Sequence, residues 1–114
     1  MNPKIKKYLE DIRVAIQEIE ETVSSKEARF DTFLNDYVFR KFVERNIEIM
    51  GEAVNRILKV HPDIKITNAR KVVDCRNYVI HSYDTLTPEI LWAVVMNHLP
   101  LLKEEVIRLL NEDK

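Results

Sequence analysis

The segment Asp36–Val60, DYVFRKFVERNIEIMGEAVNRILKV, decides the fold class of this chain. Its apolar residues recur every three or four positions, which is the period of an α-helix with one face in a hydrophobic core. The pattern is carried by Val38, Phe39, Phe42, Val43, Ile47, Met50, Val54, Ile57 and Leu58. His61-Pro62-Asp63 follows, and proline cannot continue a helix because it lacks the N–H and its ring clashes with the preceding turn. The segment is therefore predicted to form one long amphipathic helix.

The segment before it has the same helical period. Asn2 is suited to cap a helix that has Pro3 at its first position, and apolar residues then follow at helical spacing as far as Val23. Ser24-Ser25 is predicted to end this first helix. Between residues 26 and 35 we expect a short additional helical turn around phenylalanine and leucine side chains.

Two more helices are predicted after the long one. Thr67 or Asn68 can cap a helix that starts at Ala69. Thr87-Pro88-Glu89 opens the last helix, which continues to Leu110 with a bend expected at Pro100. Four helices with short connections favour an all-α fold, an up-and-down four-helix bundle with an additional short helix, in a single domain spanning residues 1–114.

The composition limits the class of protein. The chain has 114 residues, of which 46% are hydrophobic and 32% charged, as in a globular domain. Its net charge of −1 gives no long-range attraction to nucleic acid, so any RNA site must be local. Cys75 is the lone cysteine, which excludes an internal disulfide. With no apolar signal core after Met1 and no run long enough to span a bilayer, the expected location is the cytoplasm.

The segment Asp74–Tyr83, DCRNYVIHSY, carries the candidate chemistry. Arg76 can hold a phosphate in a planar fork, and His81 can move protons near neutral pH without a metal. In RNA cleavage His81 would act as acid or base, Arg76 would neutralise charge on the phosphoryl oxygens, and Asn77 would orient the imidazole or donate to a phosphate. A structural interpretation stays open, in which His81 caps a helix end, Arg76 is a surface residue and Tyr83 packs.

Helical geometry constrains how this motif can act. Position 81 lies about 140° around the helix from position 76, whereas position 83 is nearly in line with it. One helix therefore cannot easily direct Arg76 and His81 at one small target. We expect a composite site across a two-fold homodimer, in which a second copy of the helix supplies the missing group.

Other candidate sites receive less support from the sequence. His61, His81 and His98 are not spaced to place two ligands on one helical face, so neither a metal nor another cofactor is expected. Paired acids such as Glu104-Glu105 are interpreted as solvated faces. Trp92 and His98 are expected to be core or helix-packing residues.

The spacing Arg76-Asn77…His81-x-Tyr83 resembles the signature Arg-x4-His-x-Tyr of the HepT toxins in the HEPN superfamily, a group of small helical-bundle RNases. The similarity extends along most of the chain. The segment 44–53, ERNIEIMGEA, resembles the family's second-helix segment, and Leu91-Trp92 followed by Leu99-Pro100 resembles its last helix.

This resemblance implies an HEPN-like fold and a homodimeric, metal-independent endoribonuclease with Arg76 and His81 as catalytic residues. It also implies a type VII-like toxin–antitoxin pair, and a larger hetero-oligomer that contains the homodimer stays open. The cognate antitoxin would be an MntA-type minimal nucleotidyltransferase that silences the toxin by transferring AMP to Tyr83. The alternative is a non-catalytic helical module that binds a nucleotidyltransferase partner or a nucleotide, with Arg76 and Tyr83 as docking residues.

Overall fold

The computed structural model describes residues 1–81 and 87–112, with the backbone alone for residues 76–81. Helices account for most of this part of the chain, and it contains no strand, which confirms the all-α prediction. A π-helical turn, Val94–His98, joins the fifth helix to the sixth. The helices are α1 Pro3–Ser25, α2 Phe30–Leu34, α3 Tyr37–Val60, α4 Ala69–His81, α5 Pro88–Ala93 and α6 Leu99–Glu112.

Helix starts follow local capping chemistry. The Asn2 side chain accepts a hydrogen bond from the Lys4 N–H at 2.7 Å, so α1 begins at Pro3 as predicted. The Asp36 carboxylate accepts from the Phe39 N–H at 2.9 Å at the start of α3. Each cap satisfies a backbone donor that has no partner inside its own helix, which is why these boundaries are readable from sequence.

The central helix of the bundle is α3, which packs against α1 on one side and against α4 on the other, while α6 packs against α1. The buried Asn46 side chain donates to the Ala15 carbonyl at 3.1 Å and so ties α3 to α1. Apolar residues from every helix fill the core, among them Leu9, Ile12, Ile16, Ile19, Phe33, Phe39, Val43, Val54, Ile57, Leu91, Leu102 and Val106. This arrangement, with α5, the π turn and α6 as the fourth rod, confirms the predicted four-helix bundle with an additional short helix.

The short helix α2 is held by aromatic contacts. Phe33 is fully buried, with its ring centroid 5.2 Å from that of Phe39 in an edge-on arrangement and 5.1 Å from that of Trp92. Edge-on and tilted aromatic pairs are favourable beyond their buried area. Trp92 therefore packs on α2 from α5, which confirms the prediction that it is a packing residue.

The last helical rod departs from a regular α-helix just before Pro100. Proline at position 100 cannot donate to the carbonyl four residues earlier, and the chain forms the π-helical turn over Val94–His98. The wider turn places Leu99 in the core together with Val95 and leaves His98 exposed. His98 was predicted to be a core or helix-packing residue, and the exposure of its side chain shows that it is not part of the core.

Candidate nuclease site

Helix α4, which carries Arg76, Asn77 and His81, begins at Ala69 as predicted. Asn68 stands before it with φ of 56°, in the left-handed region that asparagine adopts more easily than most residues. The Asn68 carbonyl accepts from the Lys71 N–H at 2.9 Å and from the Val72 N–H at 3.3 Å, which starts the helical hydrogen-bond pattern. The left-handed conformation of Asn68 thus redirects the chain, so that the connection after Ile66 continues along the axis of α4.

The register of α4 separates the two proposed catalytic positions. Val73 is buried while Asp74 is exposed. Position 76 follows buried Val73 by three residues and shares its stripe, whereas position 81 follows exposed Asp74 by seven residues and shares that stripe. The backbone is helical at both positions, so they belong to different faces of α4, as the sequence predicted.

The predicted site residues themselves are only partly covered by the structure. Arg76, Asn77 and His81 have a described helical backbone, but their side chains lie outside the described residues. Tyr83 lies wholly outside them. The catalytic and modification roles of these residues therefore stay predictions, and the described geometry fixes only the helix on which the first three stand.

A cleft of about 170 Å³ lies beside the N-terminal half of α4. Its other wall is formed by the π turn and α6. The residues from α4 and its preceding connection are Thr67, Asn68, Lys71, Val72 and Cys75, and those opposite are Val94, His98, Leu99, Leu101, Leu102 and Glu105. Cys75 immediately precedes Arg76, so this cleft borders the motif. A larger groove, about 600 Å³, lies between α1 and α3, but it is lined by no residue of α4, the helix that carries the predicted catalytic residues.

Glu105 crosses from α6 to the start of α4. The Thr67 N–H donates to both carboxylate oxygens, at 3.1 and 3.0 Å, and the Thr67 hydroxyl donates to one of them at 3.0 Å. Arg108 approaches the same carboxylate at 3.8 Å. Glu105 is only 5% exposed, so its interpretation as part of a solvated face is wrong. The missed signal was its spacing, since it lies three residues after Leu102 and four before Leu109 on the apolar stripe of α6.

A family model, described as "Ribonuclease HepT-like", matches residues 5–109 of this sequence. The match includes all of α3 and α4 and most of α1 and α6. The chain belongs to the ribonuclease HepT-like family. This confirms the resemblance to HepT toxins of the HEPN superfamily, and endoribonuclease activity is the enzymatic function that membership supports.

Individual relatives of the HepT-like chain agree with the family match. The chain is 37% identical to a probable ribonuclease HepT of Thermococcus cleftensis over 102 residues, which cover 86% of this chain and 88% of the relative. A putative RNase of Methanocaldococcus jannaschii is 31% identical over 90% of this chain and 93% of its own length. A putative RNase of Caldanaerobacter subterraneus subsp. tengcongensis is 29% identical over 94% of this chain and 95% of its own length. The comparison with solved structures gave no significant match.

The described residues just before Arg76 include two exposed cations and a half-buried thiol. Arg70 and Lys71 are exposed on α4 and add positive charge one to two turns before Arg76. The Cys75 side chain is half-buried, and its burial raises the pKa of the thiol because the thiolate would lose hydration. The Cys75 thiol is therefore unsuited to act as a nucleophile, whereas the two cations can attract an RNA backbone.

The described part of the HepT-like chain contains neither a cluster of metal-ligating side chains nor a helix that could span a membrane. Within it, no group of three or more histidine, cysteine, aspartate or glutamate side chains is arranged to hold a metal ion. None of its helices combines the length and the apolar character needed to cross a bilayer.

Proposed function

We propose that this chain is a metal-independent endoribonuclease toxin in which Arg76 and His81 cut RNA at a cleft between two protomers. The observation that carries the proposal is the family match over residues 5–109, because it spans α4, which carries Arg76 and His81, and the position of Tyr83 in the sequence. The same proposal places the protein in the cytoplasm, where its RNA substrate is found.

Cleavage by these residues needs no group from outside the protein and the RNA. A base removes the proton of the ribose 2′-hydroxyl as the 2′-oxygen bonds to phosphorus, and the bond from phosphorus to the 5′-oxygen breaks. An acid returns a proton to that leaving oxygen, giving a 2′,3′-cyclic phosphate and a 5′-hydroxyl. His81 performs one of these proton transfers, since an imidazole exchanges protons near neutral pH. Arg76 stabilises the charge on the phosphoryl oxygens, and Asn77 orients the imidazole or the phosphate.

The faces of α4 support a site composed from two protomers. Position 76 belongs to the stripe of buried Val73, and position 81 belongs to the exposed stripe of Asp74. A two-fold axis beside α4 would bring position 81 of one helix toward position 76 of the other, because an isologous contact duplicates every residue. The proposed mechanism therefore requires the homodimer.

Regulation by a partner completes the proposal. A nucleotidyltransferase antitoxin of the minimal MntA type would transfer AMP to the Tyr83 hydroxyl, forming a phosphodiester and releasing pyrophosphate from ATP. The adenylyl group would add bulk and negative charge two residues from His81, where the RNA phosphate has to bind. This chain and its partner would then form a type VII-like pair.

Cleavage in chelator tests the enzymatic core of the proposal. Purified protein, freed from any partner, is incubated with RNA in EDTA, beside His81→Ala and Glu104→Ala, the latter an exposed acid on α6 as a matched control. Wild type and Glu104→Ala are expected to cut the RNA, while His81→Ala keeps the wild-type circular dichroism and loses cleavage.

Three other outcomes would count against the proposal. Cleavage retained by folded His81→Ala would remove His81 from the mechanism. Activity lost in EDTA and restored by a divalent cation would contradict metal independence. A folded, dimeric wild-type protein that binds the nucleotidyltransferase but never cuts RNA would favour the non-catalytic module.

A further inference from the structure

A carboxylate buried in a small helical bundle needs hydrogen-bond donors to replace the water that it has lost. The Glu105 carboxylate accepts three hydrogen bonds, all of them from one residue. All three come from Thr67, two residues before α4 begins. Carboxylates accept such bonds strongly, and each bond from a backbone N–H fixes the path of the main chain as well as a side chain. The contact therefore fixes the entry of α4 relative to α6.

The cleft beside α4 explains why such a tie is needed. About 170 Å³ of space separates the N-terminal half of α4 from the π turn and α6, so apolar packing does not fill this side of the helix. On its other side α4 packs closely against α3. A helix packed on one side and bordered by a cleft on the other can rotate or shift into the cleft unless a specific contact prevents it.

The motif is unusually sensitive to such a rotation. Positions 76 and 81 lie about 140° apart around the axis of α4, so turning the helix moves the two groups in different directions. A rotation of about 20° would move a side-chain atom 5–6 Å from the axis by about 2 Å. A misplacement of about 1 Å is enough to lower a catalytic rate about 10²-fold.

We propose that Glu105 is a positioning residue for RNA cleavage, holding α4 through Thr67 in the rotational setting that presents Arg76 and His81 to the substrate. The inference rests on the proposed function and extends it to a residue of α6 whose described polar contacts are with Thr67 and Arg108. Substitutions at Thr67 test the same contact from its other side, because Thr67 donates all three hydrogen bonds to Glu105.

The test compares Glu105→Gln with Asn46→Ala. Glutamine keeps the size of the side chain but loses the charge and one acceptor, so at least one bond to Thr67 is lost. Asn46 is the other buried polar residue in the described part of the chain, and its bond ties α3 to α1 and leaves α4 untouched. At a temperature where all proteins are folded, Glu105→Gln is expected to lower kcat about 10- to 100-fold with KM changed less than about threefold, while Asn46→Ala stays within about twofold of wild-type kcat.

Thr67 provides the conservative rescue. Thr67→Ser keeps the hydroxyl and is expected to retain wild-type kcat, whereas Thr67→Val loses the hydroxyl bond and is expected to fall between wild type and Glu105→Gln. Hydrogen exchange gives a readout that does not depend on activity. Amides of α4 should exchange faster in Glu105→Gln, and amides of α1 should not.

The outcomes separate this inference from the proposed function. Wild-type kcat in Glu105→Gln, or an equal loss of kcat in Asn46→Ala, would overturn the positioning role. Unchanged exchange in α4 would overturn it as well. If wild-type protein does not cut RNA, the proposed function fails and the role in cleavage fails with it, while faster exchange confined to α4 would still show that Glu105 holds that helix.

Discussion

Asn46 and Glu105, the two buried polar residues within the described ranges, show what single side chains contribute to this fold. Each bonds to a residue far away in sequence, Asn46 to Ala15 and Glu105 to Thr67. Burying a polar group without a partner is costly, so both positions depend on those bonds. Neither burial could be inferred with certainty from sequence, because the partner is brought close only by the tertiary fold. For Glu105 the apolar stripe of α6 was nevertheless a readable signal.

Removing the Asn46 side chain should destabilise the bundle. Asn46→Ala loses the bond to the Ala15 carbonyl and leaves a small cavity, so the free energy of unfolding should fall by about 1–3 kcal/mol. Urea denaturation measures the change. Gln17→Ala removes an exposed amide from α1 and should stay within about 0.5 kcal/mol of wild type. Equal effects of the two substitutions would contradict the role assigned to Asn46.

The Cys75 thiol should be slow to react. Burial raises its pKa above the ordinary value of 9.0, so its thiolate fraction at pH 8 is smaller than that of a free cysteine. Alkylation by iodoacetamide, followed by mass spectrometry, should be slower in the native protein than in the same protein unfolded in urea. A native rate as fast as the unfolded one would show that the thiol is not buried and that its pKa is not raised.

At the scale of elements, helix starts were predictable and their tertiary adjustments were not. The caps of Asn2 and Thr87 act within one turn, and the structure shows both, with the Ile90 N–H donating to the Thr87 hydroxyl at 3.3 Å. Proline at position 100 predicted a disturbance of the last helix. Its form as a π turn, with His98 exposed, depends on how Val95 and Leu99 fit the core.

The cap of α3 should make stability depend on pH. The hydrogen bond from the Phe39 N–H, followed by the Lys26 ammonium at 3.1 Å, lowers the pKa of Asp36 below 3.8. A lowered folded-state pKa stabilises the protein above pH 3.8, and this contribution is lost as the pH falls through the folded-state pKa. Asp36→Ala should therefore lower the Tm at pH 6, and the difference from wild type should narrow below pH 3.8.

Asp63→Ala is the control for that measurement, because it removes an exposed carboxyl from the connection between α3 and α4. Its Tm should stay close to that of wild type at both pH values. A difference between Asp36→Ala and wild type that is constant down to pH 2 would show that the charge of Asp36 contributes nothing to the cap.

At the scale of the whole molecule, the bundle and its family were readable from sequence because both depend on patterns spread along the chain. The helical period gave the all-α fold, and the motif with its flanking segments gave the family that the match over residues 5–109 confirms. The helix that carries Arg76, Asn77 and His81 was predictable from the sequence. The assembly of the site from two protomers was predicted from the angle between positions 76 and 81 around the helix, and it stays a prediction together with the roles of Arg76 and His81.

Mixing two inactive variants tests the central claim most directly. Arg76→Ala and His81→Ala are purified separately as dimers, mixed, allowed to exchange protomers, and assayed for RNA cleavage in EDTA. If each site takes its arginine from one protomer and its histidine from the other, every mixed dimer has one intact site, and the mixture should recover about a quarter of wild-type activity. Exchange confirmed by native mass spectrometry with no recovery of cleavage would contradict a site shared between protomers.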